Sequence, residues 1–536
     1  MNTYSITVSY GLNGYTGSFV AANHLDAWHQ AYVAFAATFP HGTVPPPEGR
    51  CRYVTNSVTG GPAAPAFRSA VGGVAGATGT TDAQKAFSDE LQSKVGEFVG
   101  TKLDGKFSAV ACPSGFNYGI TYGPNAYYNA ATLQDLDALL LADSAGQLSI
   151  GTGRFSTLYG RILGSTVFGF SKADQETMNK EDTAASAQIA SVLTEFTNAG
   201  GTFSNPLPFG GKIQDVFNQL TKLYGSLENM PASQSALYNA IMGYQSMAAT
   251  SMLLHNNYAA ATARLNAAKN SILKPDQSNG GEEIGAGQFY VGYTPDRLPS
   301  ANQLIGQLQA DGNAVSLHMV LSNFSSKSTD LSVGGKAGFS IPIMDALSFD
   351  FGASASYDLS TYTSSSSEVT IDLDYKGVTI LGATPSALSP EGDTGWYDEQ
   401  MLGEIASKTG KDATGYQLHG SEFDVDELFG QGKQLSRLKT FVISRQPEMS
   451  MTFKGGNAHQ VKSDMQVGAK ASVDLFGLFP IGSASASYAV NKVDTSSSDG
   501  SVTVTFGAPE PSGTIPLEQQ VAYVMGGVAS YPPNES

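Results

Sequence analysis

A stretch near the carboxyl end of this 536-residue chain occurs twice. The first copy covers 330–373 and the second covers 464–506, and their opening residues match at five positions in the same order. The pentapeptide ASASY at 353–357 returns at 484–488, and a run of serines follows each copy. Self-similarity in a fixed order is the mark of a duplicated structural unit. The repeat therefore limits the fold more than any other feature, since both copies must form the same kind of element.

Apolar or small residues occupy every second position of the repeat. In the first copy this alternation covers 331–343 and, after a turn, 347–359. Side chains of a β-strand alternate between its two faces. Each copy is therefore predicted to be a long amphipathic hairpin with one apolar and one serine-rich face. Flanking alternating segments extend each copy to a four-stranded antiparallel unit, over about 315–373 and about 448–506.

The remainder of the chain divides into regions of different pattern. Residues 1–125 are predicted to be β-rich, and residues 126–275 mainly helical, with apolar residues three and four apart predicting one long helix over 231–273. Within that helix His255 is expected to be a packing residue. Residues 288–536 are predicted to be β-rich, with the two repeat units around an insert at 381–438. The predicted class is α+β: a β-rich N-terminal region, a central long-helix bundle and duplicated antiparallel sheet units in a sandwich-like arrangement.

Charge and composition exclude several functions. The formal net charge is −17, which repels nucleic acid, so no nucleic-acid partner is predicted. There is no apolar run long enough for a membrane-spanning helix. The first residues lack the basic and apolar segments of a secretory signal. We therefore expect a soluble protein made in the cytoplasm without a signal peptide, which reaches the extracellular space by lysis or by a route that needs no signal.

The sequence offers no chemistry of its own. No catalytic motif stands out, and no catalytic residue, cofactor or metal site is predicted. The two cysteines, Cys51 and Cys112, are compatible with one disulfide or with two inert thiols, and their spacing does not decide between them.

The insert carries the best candidate for ligand recognition. Acidic residues, Asp393 and Asp398 among them, surround Trp396 and Tyr397. An exposed Trp–Tyr pair there would stack on a sugar, and the carboxylates would bind calcium or act as a carboxylate pair. The alternative is a solvated loop whose acids lie at helix N-termini. The sequence leaves calcium, sugar and this alternative open.

The apolar faces of the repeats allow three interpretations. They can pack inside the protein, as in any half-buried antiparallel sheet. They can enter a membrane, since a spanning strand needs about 9–11 residues with alternating apolar and polar positions. They can also present long, weakly charged edges for self-assembly. The residues predicted to contact a membrane are Leu331, Val333, Phe339, Ile341, Ile343, Leu347, Phe349, Phe351, Val473, Leu475, Leu478 and Phe479.

The hairpins resemble the Ser/Thr-rich insertion hairpins of aerolysin-type and perforin-like pore-forming proteins. The resemblance covers the hairpins alone. The perforin-like signature contains a histidine that the segment YGPNAYY at 122–128 lacks, so the chain is not assigned to that family. The resemblance implies hairpins that are sheltered in the monomer and released on assembly.

The sequence thus predicts a membrane-active, oligomerising protein of pore-forming type that acts through amphipathic hairpins. Its expected partners are a membrane or a cell-surface receptor and further copies of itself. The first alternative is a self-assembling structural protein or a surface- or carbohydrate-binding protein without catalysis. The second alternative is a hydrolase whose site follows no known motif.

Overall fold

The computed structural model describes residues 2–10, 13–21, 31, 34–35, 52–59, 78–118, 127–142, 148–207, 209–285, 287–294, 298–310, 312–325, 328–342, 347–350, 356–358, 367–455, 458, 461–462, 465, 470–475, 479–481, 488–507 and 521–533. The chain forms two compact units, Met1–Ala75 and Gly76–Ser536. The predicted region boundary at residue 125 therefore falls inside the second unit.

The first unit contains an antiparallel sheet of the order β2-β1-β3. Its strands are β1 (Asn2–Tyr10), β2 (Asn13–Ala21) and β3 (Arg52–Thr59). Strands β1 and β2 pair along their whole length, from Asn2 opposite Ala21 to Tyr10 opposite Asn13.

The second unit mixes strands and helices, which agrees with the predicted α+β class. Its strands are β4 (Ser108–Asn117), β5 (Ala138–Ala142), β6 (Leu148–Arg154), β7 (Thr166–Gly169), β8 (Glu282–Gly285), β9 (Gln288–Tyr290), β10 (Ala314–Ser322), β11 (Ser328–Val333), β12 (Lys336–Pro342), β13 (Leu347–Asp350), β14 (Ser356–Asp358), β15 (Glu368–Lys376), β16 (Thr379–Gly382), β17 (Gly415–Leu418), β18 (Arg437–Arg445), β19 (Glu448–Lys454), β20 (Lys470–Leu475), β21 (Phe479–Ile481), β22 (Tyr488–Thr495), β23 (Val502–Gly507) and β24 (Val521–Ser530). Its helices are α1 (Thr78–Val99), α2 (Ala130–Leu136), α3 (Phe155–Gly164), α4 (Lys172–Ala184), α5 (Ser186–Asn198), α6 (Gly211–Tyr224), α7 (Ser235–Met247), α8 (Ala249–Leu273), α9 (Ala301–Gln309), α10 (Glu399–Lys408) and α11 (Val425–Leu428).

Both repeats lie in one large sheet. The strand order is β12-β11-β10-β15-β19-β23-β22-β20-β13-β14, with β21 attached to β20. The repeats join where β15 pairs with β19 in antiparallel register, with Ile371 opposite Met451. The predicted separate four-stranded units therefore share a single hydrogen-bonded sheet, in which β13 and β14 of the first unit lie beyond β20 of the second.

The predicted alternation reappears as alternating burial in the described strands. Every second residue of β10, β11, β15 and β19 is buried, and the residues between are partly or fully exposed. One continuous core contains buried residues of both repeats, such as Leu331 and Val504, together with Phe87, Leu91 and Val95 of α1. Helix α1 thus packs on the apolar face of the sheet, which agrees with the interpretation that this face lies inside the protein. The sheet β16-β18-β24-β4-β6-β5 adds Val442 and Met525 to the same core.

The first predicted long strand, 331–343, is in fact a hairpin. Strand β11 ends at Val333, and Gly334 and Gly335 turn the chain with φ values of 56° and 78°. A two-residue turn with positive φ at both positions is the preferred short hairpin connection. Opposite residues are Val333 and Lys336, then Leu331 and Phe339, so β12 holds one extra residue between these pairs. The turn reverses the odd–even pattern and the extra residue restores it, which is why the sequence read as one continuous strand.

The predicted long helix 231–273 is also interrupted. Helix α7 ends at Met247 and α8 begins at Ala249, because Ala248 has non-helical angles of φ −137° and ψ 53°. No glycine or proline marks the break. Polar contacts across it hold the two helices instead: Tyr244 donates to Ser251 Oγ at 3.0 Å, and the Ser251 amide donates to Glu181 at 2.8 Å. Tertiary hydrogen bonds therefore override the continuous helical periodicity.

Candidate functional site

The tips of the two repeats pair with each other. Strand β13 of the first copy pairs with β20 of the second, with Phe349 opposite Val473. On the outer sides β14 pairs with β13, and β21 pairs with β20. The four strands form a ribbon of the order β14-β13-β20-β21, which we call the tip ribbon.

The register separates apolar from polar positions across the tip ribbon. Opposite residues of paired strands share a face, as do residues two apart along a strand. One face therefore holds Leu347, Phe349, Tyr357, Val473, Leu475, Phe479 and Ile481. The other face holds Ser348, Asp350, Ser356, Asp358, Ser472, Asp474 and Pro480. The tip ribbon is thus amphipathic, and its apolar face combines residues of both copies.

The tip ribbon is shorter than a bilayer is thick. Its longest strand, β20, has 6 residues. At about 3.3 Å per residue that strand extends roughly 20 Å, against roughly 30 Å for the hydrocarbon core. The described part of β20 is therefore shorter than the hydrocarbon core of a bilayer.

The predicted membrane-contact residues fall into three groups. Leu331, Val333 and Ile341 are buried in the core under α1, and Phe339 packs against that core. The tip ribbon contains Leu347, Phe349, Val473, Leu475 and Phe479. The remaining three, Ile343, Phe351 and Leu478, lie outside the described residues.

Helix α1 is placed closely over the β11–β12 hairpin. Phe87, Leu91 and Val95 are at most 1% exposed and face the sheet core. A Cβ atom on Gly334 would clash with the carboxylate of Glu90, so a larger residue in the turn requires the Glu90 side chain to move. The Gln92 side chain donates to Phe107 O and accepts from the Ala109 amide, both at 2.6 Å, which fixes α1 to β4.

The opposite face of the large sheet is polar and meets solvent. Hydroxyl groups lie in register across its central strands: Thr452 and Thr503 hydroxyls are 2.9 Å apart, and Ser450 and Thr505 hydroxyls 3.4 Å apart. Two ion pairs flank them on the same face, Lys376–Glu448 at 3.4 Å and Lys454–Glu368 at 2.8 Å, and His318 contacts Asp372 at 2.7 Å. We call this surface of β10, β15, β19 and β23 the hydroxyl face.

The prediction that the Trp–Tyr pair of the insert is exposed is wrong. Trp396 is 2% exposed and Tyr397 6% exposed. The Trp396 indole donates to Gly292 O at 2.7 Å, and its ring packs edge-on against Phe155 and Tyr159. The two rings belong to a closed aromatic core, so neither presents a face to a sugar.

The nearby acids have structural partners. Asp398 is buried, accepts the Met401 amide at the start of α10, and pairs with Arg264 Nε at 2.5 Å. Asp393 is exposed and accepts from Ser389 Oγ at 2.7 Å in its own loop. Asp424 accepts the Asp426 amide at the start of α11. These positions match the alternative of acids at helix N-termini, and among the described residues no group of three acidic, histidine or cysteine side chains could hold a metal ion.

The helical part contains a buried polar cluster that the sequence did not reveal. His255 is fully buried, as expected for a packing residue; its Nδ1 lies 2.6 Å from Gln214 Oε1 and its Nε2 3.2 Å from Asp182 Oδ2. Each ring nitrogen of His255 thus has a hydrogen-bond partner inside the helical part. Burial raises the pKa of Asp182, but hydrogen bonds from His255, Ser251 and Tyr244 outweigh burial and lower that pKa overall.

This cluster does not have the geometry of a nucleophilic triad. Ser251 Oγ donates to Asp182 at 2.5 Å, so the hydroxyl faces the acid instead of the histidine that would have to remove its proton. Ser251 and His255 are also fully buried. Ser251 and His255, four residues apart on α8, bind Asp182 of α4 and so hold the two helices together. A Ser–His spacing of four residues is common on helices, so the sequence did not indicate this cluster.

A second buried acid lies between α2 and β5. Asp137 accepts from the Ser156 amide at 2.9 Å, from Ser156 Oγ at 2.5 Å and from Tyr290 at 2.8 Å. Burial raises the pKa of Asp137 to about 6, although these hydrogen bonds oppose the rise. The Tyr293 hydroxyl is also buried and has no hydrogen-bond partner among the described residues. The acid closes the first turn of α3, where Ser156 lies, and so has a structural role in the fold.

No helix in the described part of the chain is long and apolar enough to cross a membrane. Comparison with models of known protein families, with curated proteins and with solved structures finds no match.

Proposed function

We propose that this chain is a membrane-active protein that attaches to lipid through the tip ribbon and oligomerises to form pores. The observation that carries the proposal is the register of the ribbon, in which the two repeats combine seven apolar residues on one face and Ser, Asp and Pro on the other. A surface of this kind can lie at the boundary between headgroups and acyl chains.

The energetics favour reversible attachment in the monomer. Each Leu, Phe or Val side chain that leaves water contributes about 1.5–3 kcal/mol. A few such residues are enough to hold a protein at a bilayer surface. The net charge of −17 disfavours anionic headgroups, so we propose a neutral, zwitterionic surface as the target.

Pore formation requires a further step. The ribbon strands have 3 to 6 residues, whereas a spanning strand needs about 9–11. The strands must lengthen, and neighbouring copies must pair, before a barrel can close. Oligomerisation on the lipid surface supplies both requirements in this proposal.

The test uses dye-loaded phosphatidylcholine vesicles and two matched double variants. Phe349→Asp with Val473→Asp places two charges on the apolar face of the tip ribbon. Ser348→Asp with Ser472→Asp places the same charges on the same strands but on the polar face. We expect wild type and the serine variant to bind and release dye, and the Phe349/Val473 variant to lose binding by at least about tenfold. Equal binding by both variants would contradict the proposal.

The hydroxyl face favours a second candidate function, a surface-binding or self-assembling protein. Its aligned Ser and Thr hydroxyls and balanced ion pairs form a flat polar surface on the central strands. Such a surface suits a hydroxyl-rich polymer or a second copy of the chain. Thr452→Lys with Thr503→Lys would disrupt it, and sedimentation with insoluble polysaccharides and particle size in solution would measure the two outcomes. A loss in either measurement, with vesicle binding unchanged, would favour this function.

A further inference from the structure

The apolar face of the β11–β12 hairpin is buried in the core to which helix α1 contributes. Leu331, Val333 and Ile341 are at most 1% exposed, and Phe87, Leu91 and Val95 of α1 belong to the same core. The hairpin is at one end of the sheet order, and it joins the rest of the sheet through β10. The sequence predicted these hairpin residues to contact lipid, and the structure places them against a helix instead.

Helix α1 has the properties of a removable cover. It is the first described element of the second unit in chain order, so its displacement would break the Gln92 hydrogen bonds to β4 without drawing another described strand or helix of that unit through the fold. Its outer side is charged and solvated, with Lys85 and Asp89 3.2 Å apart and about half exposed or more. Its inner contact with the hairpin is apolar, and the acyl region of a bilayer can replace an apolar contact.

We infer that α1 is a displaceable cover over a second lipid-binding surface, formed by the apolar face of β10, β11 and β12. The inference rests on the proposed membrane function, and it explains how the hairpin residues would reach the bilayer together with the tip ribbon. Displacement of α1 exposes Leu331, Val333, Phe339 and Ile341 on neighbouring strands. The partner is the acyl region of a zwitterionic bilayer, because the chain carries a strong net negative charge.

The first test needs no lipid. Leu91→Ala with Val95→Ala removes apolar contacts on the inner side of α1, and Lys94→Ala with Glu97→Ala is the matched pair on its exposed side. Amide hydrogen exchange of the full chain is measured by mass spectrometry. For the inner pair we expect exchange at least about tenfold faster in 78–99 and 328–342, with 437–445 in β18 still protected. Loss of protection in β18 at the same time would show that α1 belongs to a common core and would overturn the inference, and so would unchanged exchange throughout.

The second test measures binding to phosphatidylcholine vesicles. The inner pair should bind about tenfold more tightly than wild type, and the outer pair like wild type. Local exposure in the exchange experiment without tighter binding would overturn the inference. The tip ribbon variants separate this failure from that of the proposed function: if Phe349→Asp with Val473→Asp abolishes wild-type binding while the inner pair gains nothing, only the inference fails. If neither wild type nor the inner pair binds, both fail.

Discussion

Glu90 lies directly over Gly334, so close that a Cβ atom on residue 334 would clash with the Glu90 carboxylate. The contact joins α1 to the turn of the β11–β12 hairpin. Gly334 also has a φ of 56°, a conformation that costs other residues about 1 kcal/mol or more.

This contact predicts a measurable coupling. Gly334→Ala should lower the free energy of unfolding by about 2 kcal/mol, since it adds backbone strain and pushes Glu90 aside. Gly335→Ala is the control, because its φ is 78° and no atom lies within 4 Å of a Cβ there, so only the strain applies. Adding Glu90→Ala to Gly334→Ala should restore about 0.5–1 kcal/mol. Urea denaturation of these three variants and of Glu90→Ala alone measures this, and strict additivity of Gly334→Ala and Glu90→Ala would contradict the contact.

Asp182 should make the free energy of unfolding depend on pH in the acid range. Its pKa is lowered in the fold, so its contribution is fully present above its ordinary pKa of 3.8 and is lost as pH falls through the lowered value. Asp182→Asn should cost about 2 kcal/mol at pH 7, because it removes the charged partner of buried His255. Urea denaturation between pH 2.5 and pH 7 tests both statements. Glu176→Gln, an exposed change on the same helix, should leave the curve as it is; a wild-type curve that stays flat in acid would count against the cluster.

Asp137 should have the opposite pH dependence. Burial raises its pKa from 3.8 to about 6, so its contribution to stability is fully present below pH 3.8 and is lost as pH rises through about 6. A rise of roughly two pKa units corresponds to about 3 kcal/mol. Asp137→Asn cannot ionise, so its stability relative to wild type should increase by about that amount between pH 3.5 and pH 7.5. Parallel denaturation curves for the two proteins would show that Asp137 does not titrate in this range.

Trp396 should act through packing alone. Trp396→Ala removes a ring that is 2% exposed from the aromatic core and should cost about 3–5 kcal/mol. Asp393→Ala, in the exposed loop beside it, should change stability by less than about 0.5 kcal/mol. Thermal unfolding gives both values, and titration with soluble oligosaccharides should leave the Trp396 environment unchanged in wild-type fluorescence. A sugar-dependent change that is lost in Trp396→Ala would restore the abandoned ligand site.

The alternation of apolar and polar residues gave the most reliable prediction from the sequence. It correctly predicted strands at β10, β11, β15 and β19, whose side chains alternate in burial as those of a half-buried antiparallel sheet do. It failed at 331–343, where the two-glycine turn and the extra residue of β12 together preserve the odd–even pattern. The Gly-Gly pair was the available signal for the turn.

Long-range partners were beyond the sequence. Nothing in β13 or β20 indicates that the two copies pair at their tips, since register between distant strands depends on the whole sheet. The break at Ala248 likewise depends on Asp182, Ser251 and Tyr244 meeting from three helices. Trp396 read as exposed because its neighbours in sequence are acidic, whereas its neighbours in space are Phe155 and Tyr159.

The pairing of β15 with β19 has a consequence for anyone who would work with a fragment of this protein. Each strand satisfies the backbone amides and carbonyls along the inner border of the other. A single repeat unit, cut free, would have β15 or β19 as an edge strand with unpaired backbone groups, and that edge would pair with any extended chain. We therefore expect neither repeat unit to be stable alone, and excised units should precipitate or dimerise through the exposed edge of β15 or β19.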